Sequence, residues 1–265
     1  MIIVGERINS SRAPIARALE AKDAAFIQRE AALQVAAGAD YVDVNAGALA
    51  KDEAAYLEWL VAVVQEAVDK PLCIDTPDPR AMAPALKRHR GKALVNSITA
   101  ERERYQTVLP LVKGYRCGVI ALCLSEAGMP GTTDEGVAIA SRLIDALTSE
   151  GVPLGDIYID PLVRPISVSY KAASVALETI SQVMARYPGV HTICGLSNVS
   201  FGLPGRRLLN RAFAVLARQQ GLDAAILDPC DRELMACLVA AEAMLGGDDY
   251  CMNYIRAYRT GKLGK

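Results

Sequence analysis

The chain has 265 residues, of which 52% are hydrophobic and only 5% are aromatic. Its 29 basic and 30 acidic side chains give a net charge of −1 without a basic block, which argues against nucleic acid as a partner. No apolar run reaches the roughly 18 residues of a membrane span, and the apolar start is too short for a signal peptide. The seven cysteines form no C-x-x-C pair, and their odd number favours a reducing, cytoplasmic location.

Short apolar runs alternate along the chain with longer amphipathic stretches, beginning with a strand at residues 2–4 and a helix at 24–37. Further strands are predicted at 41–44, 72–74, 93–95, 118–122, 157–159, 192–195 and 224–227. Helices are predicted after them at 52–68, 80–90, 101–115, 134–149, 170–187, 206–219 and 231–245. Eight strand–helix units, one per roughly 33 residues, predict an α/β fold of the (β/α)₈ or TIM-barrel type, with 1–265 as a single domain.

Local signals mark several of the predicted helix ends. Thr132 stands three residues before Glu135, as in a capping box, and Gly38 and Gly151 stand where helices should end. The basic tail at 250–265 is expected to pack loosely or to contact a partner. A doubly wound open sheet is the alternative fold, but it needs a glycine-rich phosphate turn after the first strand, where Gly5 is isolated.

Polar side chains stand at or just after all eight predicted strands, where a (β/α)₈ barrel carries its active site. In chain order they are Glu6, Arg7, Asn9, Asp43, Asn45, Asp75, Asn96, Ser97, Ser125, Glu126, Asp160, Ser197, Asn198, Ser200 and Asp228. A single Asp at such a place often caps a helix, but several carboxylates at one rim repel each other. We therefore expect Arg7 to neutralise one or two of them, and the others to bind a ligand rich in N–H donors. The amino-oxo-pyrimidine edge of a pterin is one such ligand, and other amine-bearing ligands stay open.

The predicted strand ends lack histidine and lysine, and this absence argues against several classes of catalytic site. Of the two histidines, His89 lies in a basic KRHR stretch that suggests a solvated face, and His191 lies at the start of strand 7, away from the rim. A zinc site and a Ser-His-Asp triad are therefore not expected, and no tightly bound metal is predicted. No strand end carries the lysine that a Schiff-base aldolase requires.

Seven segments match one known family in order along the chain. They are GERIN at 5–9, DVNAG at 43–47, CIDT at 73–76, VNSITAERE at 95–103, YIDPL at 158–162, GLSNVS at 195–200 and GLDAAILDPCD at 221–231. The chain thus resembles the pterin-binding methyltransferases of one-carbon metabolism, which move a methyl group between N5 of tetrahydrofolate and the cobalt of a corrinoid protein. The resemblance implies a pterin-binding barrel, tetrahydrofolate or 5-methyltetrahydrofolate as substrate, a corrinoid carried by a partner protein, and a homodimer.

The resemblance also implies roles for individual residues. Asp75, Asn96 and Asp160 correspond to the residues that hold the pyrimidine edge of the pterin. Asn198 corresponds to the catalytic residue that reaches N5, and its amide oxygen would accept a hydrogen bond from protonated N5, since an amide does not ionise near neutral pH. Further substrate-binding positions are implied at Glu6, Asp43, Gly195, Ser197, Arg206 and Arg207. Because the loop FGLPGRR at 201–207 departs from the family pattern, the choice between Arg206 and Arg207 is open.

Two other functions fit parts of the same pattern. A dihydropteroate synthase shares the pterin ring but uses a lysine in the strand 7 loop, where this chain has SNVS at 197–200. A non-catalytic folate-binding subunit of a corrinoid complex would not need Asn198 at N5. The sequence leaves open the direction of methyl transfer, the corrinoid partner and the source of the N5 proton.

Overall fold

A computed structural model describes residues 1–49 and 51–263 as parallel strands surrounded by helices. Ala50, Gly264 and Lys265, which fall in the predicted domain range, lie outside the described residues. The strands are β1 (Ile2–Asn9), β2 (Tyr41–Asn45), β3 (Leu72–Asp75), β4 (Leu94–Thr99), β5 (Gly118–Leu122), β6 (Ile157–Asp160), β7 (His191–Thr192) and β8 (Ala224–Leu227). The helices are α1 (Ala13–Glu20), α2 (Ala24–Ala36), α3 (Glu53–Ala67), α4 (Pro79–Arg88), α5 (Arg102–Tyr115), α6 (Thr133–Ser149), α7 (Ala172–Arg186), α8 (Arg206–Gln219), α9 (Arg232–Met244) and α10 (Met252–Arg259).

The strands form one parallel sheet in the order β7-β6-β5-β4-β3-β2-β1-β8, so the two ends of the sheet come back toward each other. At the seam between β7 and β8, pairing is reduced to a bridge between Gly195 and Ile226, in which the Ile226 amide donates to the Cys194 carbonyl at 3.0 Å. The eight strands therefore make a nearly closed barrel, and the predicted (β/α)₈ fold is confirmed.

Alternation along the strands creates two apolar layers, because parallel strands covered by helices are buried on both faces. One face packs against the helices, and the other fills the barrel with a buried cluster of Val4, Cys73, Leu94, Ile120, Tyr158, Ile193 and Ala224. Since side chains alternate with period two, the next inward position on four of these strands is polar. Those positions are Glu6 on β1, Asp75 on β3, Asn96 on β4 and Asp160 on β6.

Several elements differ from the sequence prediction. Strands β1 and β4 extend to Asn9 and Thr99, whereas the predicted strands end at residues 4 and 95, because polar residues interrupt the apolar runs. Helix α1 was not predicted, because its eight residues are too few to show a clear periodicity. Strand β7 covers His191–Thr192 instead of 192–195, because the chain bends at Gly195 into a 3₁₀ turn, Leu196–Ser200. The tail at 250–265, expected to pack loosely or to contact a partner, contains α10, which packs against α9.

The predicted helix ends are confirmed. Thr132 and Glu135 form a capping box at the start of α6, and Gly38 and Gly151 take φ values of +109° and +85° just after α2 and α6. One expectation about the ends is wrong: His89 does not lie on a solvated face. It ends α4, where its Nε2 accepts a hydrogen bond from the Leu72 amide at 3.0 Å, so it helps to anchor β3.

The end of the barrel opposite the polar positions carries the second histidine, His191, as expected. Its Nδ1 lies 2.6 Å from Oδ2 of Asp223, and Oδ1 of the same carboxylate accepts a hydrogen bond from the Thr192 amide at 2.9 Å. The hydrogen bond with Asp223 raises the pKa of His191, although burial works in the other direction. Because Asp223 directly precedes β8, these contacts join β7 to β8 across the seam.

Across the parts of the chain that the structure describes, no helix is both long enough and apolar enough to span a membrane.

Candidate functional site

A cavity of about 600 Å³ opens at the C-terminal ends of the strands, directly above the apolar filling of the barrel. Every strand, or the segment directly after it, contributes to its wall. The lining residues are Glu6, Arg7, Asn9, Ser11, Arg12, Asp43, Asp75, Asn96, Leu122, Asp160, Leu162, Gly195, Ser197, Asn198, Arg206, Ile226 and Asp228. The structure thus brings together all of the predicted site residues except Arg207, which lines an adjoining cleft between α8 and the β8 loop.

One wall of the cavity is built from the ends of β2, β3 and β4. The strand register places Asn45, Asp75 and Asn96 side by side, and Asn45 Nδ2 donates to Asp75 Oδ2 at 2.9 Å. Burial raises the pKa of Asp75 to about 6, although the hydrogen bond from Asn45 opposes this shift. The wall therefore offers a carboxylate acceptor next to an amide, in a partly desolvated place where hydrogen bonds to a charged group are strong.

Arg104 holds this wall from behind and was not found by sequence reasoning. From α5, its guanidinium donates to the carbonyls of Ser97 at 2.8 Å and Thr76 at 2.9 Å. It thereby joins β4 to the segment that follows β3, and its positive charge opposes the rise that burial causes in the pKa of Asp75. An arginine on an outer helix gives no periodic or motif signal for such a role.

Asp160 stands at the end of β6 and is almost fully buried, with 8% of its surface exposed. Its Oδ1 accepts a hydrogen bond from the Leu162 amide at 2.7 Å. Leu162 has a φ of +62°, a left-handed conformation that costs about 1–2 kcal/mol for a residue with a side chain. Burial raises the pKa of Asp160 to about 7. The strained loop therefore fixes the plane of a carboxyl group that can be neutral or charged near neutral pH.

Asp43 lies deeper in the barrel and is 2% exposed. Burial, and after it the charge of Asp75, raises the pKa of Asp43 well above its usual range. Its Oδ1 has no hydrogen-bond partner among the residues that the structure describes. Burying such an atom is costly unless a ligand or a proton satisfies it. Asp43 therefore offers an unsatisfied polar atom at the bottom of the cavity, below Asp75.

The opposite wall is the 3₁₀ turn after β7, which presents Ser197 and Asn198 to the cavity. The Asn198 amide N–H donates to the Gly195 carbonyl at 3.2 Å. A Cβ added at Gly195 would lie 3.1 Å from Asn198 Nδ2, although the φ of Gly195, −71°, is open to any residue. Gly195 therefore leaves room for the Asn198 side-chain amide, and a Cβ at this position would push that amide away by a few tenths of an ångström.

The two arginines after this turn occupy different places. Arg206 lines the cavity, and it donates to the Ser197 carbonyl at 2.8 Å and to Ser200 Oγ at 3.1 Å. It thus fixes the turn that carries Asn198. Arg207 does not line the cavity and faces the adjoining cleft instead.

The structure contains the expected charge compensation at the rim, where Arg7 neutralises one carboxylate of the predicted one or two. Arg7 pairs with a single rim carboxylate, Asp228, at 3.0 Å, and its other partner is Glu30 on α2 at 2.9 Å. Arg12, the residue before α1, also lines the cavity, and it donates to the Arg7 carbonyl at 2.8 Å. Sequence reasoning missed Arg12 because it missed α1.

Some of the polar residues predicted at the strand ends support the site from outside the cavity. They brace neighbouring loops or side chains without lining the cavity. Glu126 accepts a hydrogen bond from the Arg102 amide at 2.7 Å, and buried Ser200 is held by Arg206. No group of three or more His, Cys, Asp or Glu side chains in residues 1–49 and 51–263 is arranged to hold a metal ion.

Comparison with known proteins identifies one matching family and several similar enzymes. A family model described as pterin binding enzyme matches residues 5–228. The chain is 36% identical to a methylcorrinoid:tetrahydrofolate methyltransferase of Eubacterium limosum, over 100% of this chain and 98% of that protein. It is 29% identical to a methionine synthase of Mycobacterium tuberculosis, over 86% of this chain but only 20% of that much longer protein.

Solved structures agree on the fold. The dihydropteroate synthase of Coxiella burnetii in complex with pteroic acid superposes with a TM-score of 0.71 at 18% identity, covering 93% of this chain and 94% of that one. The enzyme of Xanthomonas albilineans in complex with 7,8-dihydropteroate gives 0.71 at 19% identity, covering 94% and 93%. At such low identity the likeness shows the fold alone. The family match over residues 5–228, together with the relative that matches along the whole chain, shows that this protein belongs to the pterin-binding enzyme family.

Proposed function

We propose that this protein is a methyltransferase that moves a methyl group between N5 of tetrahydrofolate and the cobalt of a corrinoid held by a partner protein. The relative from Eubacterium limosum supports this reaction, since its name describes the same exchange and the match extends along the whole chain. The observation in the site that carries the proposal is the pairing of two walls in one cavity. Asp75 and Asn96 belong to the first wall and Asp160, at the end of β6, joins them in the proposed pterin-binding group, while the Asn198 turn forms the other wall.

In this proposal the first wall binds and orients the pterin. The carboxylates of Asp75 and Asp160 accept the amine and ring N–H donors of the pyrimidine edge, and the amide of Asn96 matches its mixed donor and acceptor groups. Glu6, Asp43 and Ser197 complete the pocket, and Arg206 orients the remainder of the folate. Burial strengthens these contacts, because few waters compete for them.

The second wall acts at the reacting nitrogen. A tertiary amine is a poor leaving group, so N5 of 5-methyltetrahydrofolate must gain a proton before the methyl group passes to cobalt(I). We assign to Asn198 the stabilisation of that charge through its amide oxygen. Gly195 supports this role as a positioning residue, because it provides the space for the amide. In the reverse direction, neutral N5 of tetrahydrofolate attacks the methyl group on cobalt(III) and then loses its proton.

The name of the relative supports methylcorrinoid as donor and tetrahydrofolate as acceptor in the cell. The same site catalyses both directions, and the partner's cobalt decides which one prevails. We also propose that residues 1–265 act as one pterin-binding domain, that the protein is a homodimer, and that it works in the cytoplasm. The odd number of cysteines, four of them buried in the barrel, supports the last point.

The dihydropteroate synthase alternative predicts a lysine in the strand 7 loop. The described residues that line the cavity include arginines but no lysine, and the turn presents Ser197 and Asn198 in its place. This favours methyl transfer over condensation with an aryl amine. A protein that formed dihydropteroate from a pterin pyrophosphate and 4-aminobenzoate would contradict this choice.

The experiment that tests the function follows the spectrum of cobalt. Mixing the protein with 5-methyltetrahydrofolate and cob(I)alamin should convert the cobalt(I) spectrum to that of methylcobalamin, and methylcobalamin with tetrahydrofolate should show the reverse change. Samples without protein provide the control. Tight folate binding without conversion in either direction would favour the folate-binding subunit instead.

A further inference from the structure

Glu6 is a cavity residue that the binding roles above do not explain. It occupies the inward position two residues after Val4, which fills the barrel, and it lines both the main cavity and the adjoining cleft. Its carboxyl group lies beside the hydroxyl of Ser197, the residue that directly precedes Asn198. Glu6 therefore reaches across the seam between β7 and β8 toward the wall that acts on N5.

The surrounding charges leave Glu6 without an ion-pair partner. Arg7, the next residue, turns to Glu30 at 2.9 Å and Asp228 at 3.0 Å, and no salt bridge within 4.0 Å involves Glu6 among the residues that the structure describes. The charged groups around its carboxyl are Asp228, Asp43, Arg12 and Arg206. A largely buried carboxyl group whose hydrogen-bond neighbour is a hydroxyl, and not a cation or a helix amide, can gain and lose a proton.

We propose that Glu6 is a catalytic residue that carries the proton which N5 gains or loses as the methyl group moves. The proposal rests on the methyl transfer proposed above. In one direction, the Glu6 carboxylic acid protonates N5 of 5-methyltetrahydrofolate, the methyl–nitrogen bond breaks, and cobalt(I) forms a bond to the methyl carbon. The nitrogen keeps the bonding electron pair, and the products are tetrahydrofolate, methyl-cobalt(III) and the Glu6 carboxylate.

The reverse direction balances in the same way. The lone pair of N5 attacks the methyl carbon, the carbon–cobalt bond leaves its two electrons on cobalt as cobalt(I), and the Glu6 carboxylate accepts the proton of the resulting ammonium. No further oxidant or reductant is required. Asn198 stabilises the charged nitrogen but cannot exchange a proton, so the two residues have complementary roles.

The acidity of Glu6 suits this role. Burial raises the pKa of Glu6 to about 7, and the negative charge of Asp228 adds to the shift, whereas Arg12 and Arg206 oppose it. A proton carrier works best when its pKa lies near the working pH. Asp160 has a similar pKa, but its Oδ1 is held by the Leu162 amide and its group faces the pyrimidine edge in the proposed binding mode.

The test compares Glu6→Gln with the wild type in the cobalt assay over pH 5.5 to 8.5. Loss of a general acid or base costs about 10²- to 10⁴-fold, so we expect a loss of at least a hundredfold in transfer rate. The dissociation constant for 5-methyltetrahydrofolate should change less than about threefold, because the pyrimidine wall is intact. The wild-type rate toward cobalt should fall as pH rises through 7, and the variant should lose this inflection.

Glu30→Gln is the matched control, because it makes the same change in the carboxylate that pairs with Arg7 outside the cavity. It should keep the wild-type rate and pH profile. Glu6→Ala adds a rescue test in the direction from methylcobalamin to tetrahydrofolate, in which the carboxylate acts as the base: formate should restore part of its rate, and chloride at equal ionic strength should not. Rescue would show that the missing carboxyl group, and not a folding defect, limits the reaction.

The possible failures are distinguishable. If the wild type transfers methyl groups and Glu6→Gln keeps its rate and its pH inflection, Glu6 is not the proton carrier but the proposed function stands. If Glu6→Gln and Glu6→Ala lose folate binding as well as turnover and formate restores nothing, Glu6 is a binding or structural residue and the inference is wrong. If the wild type shows no transfer, the proposed function fails, and the role of Glu6 fails with it.

Discussion

The ionisation of Asp160 should control how pterin binding depends on pH. The pyrimidine edge presents N–H donors, so it binds the ionised carboxylate, whereas burial raises the pKa of Asp160 to about 7 and favours the neutral acid. Below pH 7, binding must first remove a proton. The apparent affinity should therefore fall about tenfold, or about 1.4 kcal/mol, for each further unit of pH. Asp75, whose pKa is raised to about 6, should steepen the loss at lower pH.

Isothermal titration calorimetry with 5-methyltetrahydrofolate from pH 5.5 to 8.5 measures this effect. About 90% of Asp160 is ionised at pH 8 and about 10% at pH 6, so the dissociation constant should rise roughly tenfold between them. Asp160→Asn should bind more weakly at pH 8 by about 1.5–3 kcal/mol, since it loses a charged hydrogen bond. Its affinity should be nearly independent of pH in this range.

Asp78→Asn provides the matched control, because Asp78 caps α4 and does not line the cavity. Its hydrogen bonds with Arg80 lower the pKa of Asp78, so it is ionised throughout this pH range. It should show the wild-type pH dependence. A wild-type dissociation constant that stays constant from pH 6 to 8, or an Asp160→Asn variant with an unchanged slope, would refute the reasoning.

Two further predictions concern the frame of the barrel. Gly5→Ala would place its Cβ 2.4 Å from Oε1 of buried Gln34, the atom that accepts the Arg7 amide hydrogen bond, so thermal unfolding should show a loss of about 1–3 kcal/mol. Gly114→Ala in α5 meets no atom within 4 Å and should be neutral or stabilising by up to about 1 kcal/mol; equal losses in both variants would contradict the packing argument. Asp223→Asn should lower the melting temperature most at about pH 6. The pKa of His191 is raised above its ordinary 6.5, so the pair's stabilisation is complete below that value and disappears as pH rises through the folded-state pKa. A melting-temperature difference that grew toward pH 9 would show that the His191 charge is not involved.

The sequence could predict the barrel and most of the cavity because both follow from short periods. Period-two alternation on β1, β3, β4 and β6 sets Glu6, Asp75, Asn96 and Asp160 above the apolar filling. The eight strand–helix units brought these positions to one end. The sequence alone could therefore predict which ionisable and amide side chains line the cavity at these positions.

What the sequence could not predict depends on contacts between distant segments. The role of Arg104 arises because α5 lies behind the ends of β3 and β4, and the partners of Arg7 come from α2 and the β8 loop. The close approach of the Asn198 side chain to Gly195 arises from the turn after β7, and β7 itself ends before this turn, at Thr192. Local pattern carries no information about any of these contacts.

The central claim is that the carboxylate wall binds while Asn198 acts on the reacting nitrogen. The most direct measurement is the ratio of turnover loss to affinity loss in Asn198→Ala, with methyl transfer followed at cobalt and binding by calorimetry. We predict a loss of about 10²- to 10³-fold in kcat, the usual effect of removing one group that stabilises transition-state charge, with a dissociation constant for 5-methyltetrahydrofolate that changes only a few-fold. Equal losses in kcat and affinity would mean that Asn198 only binds the substrate, and the division of the site would be wrong.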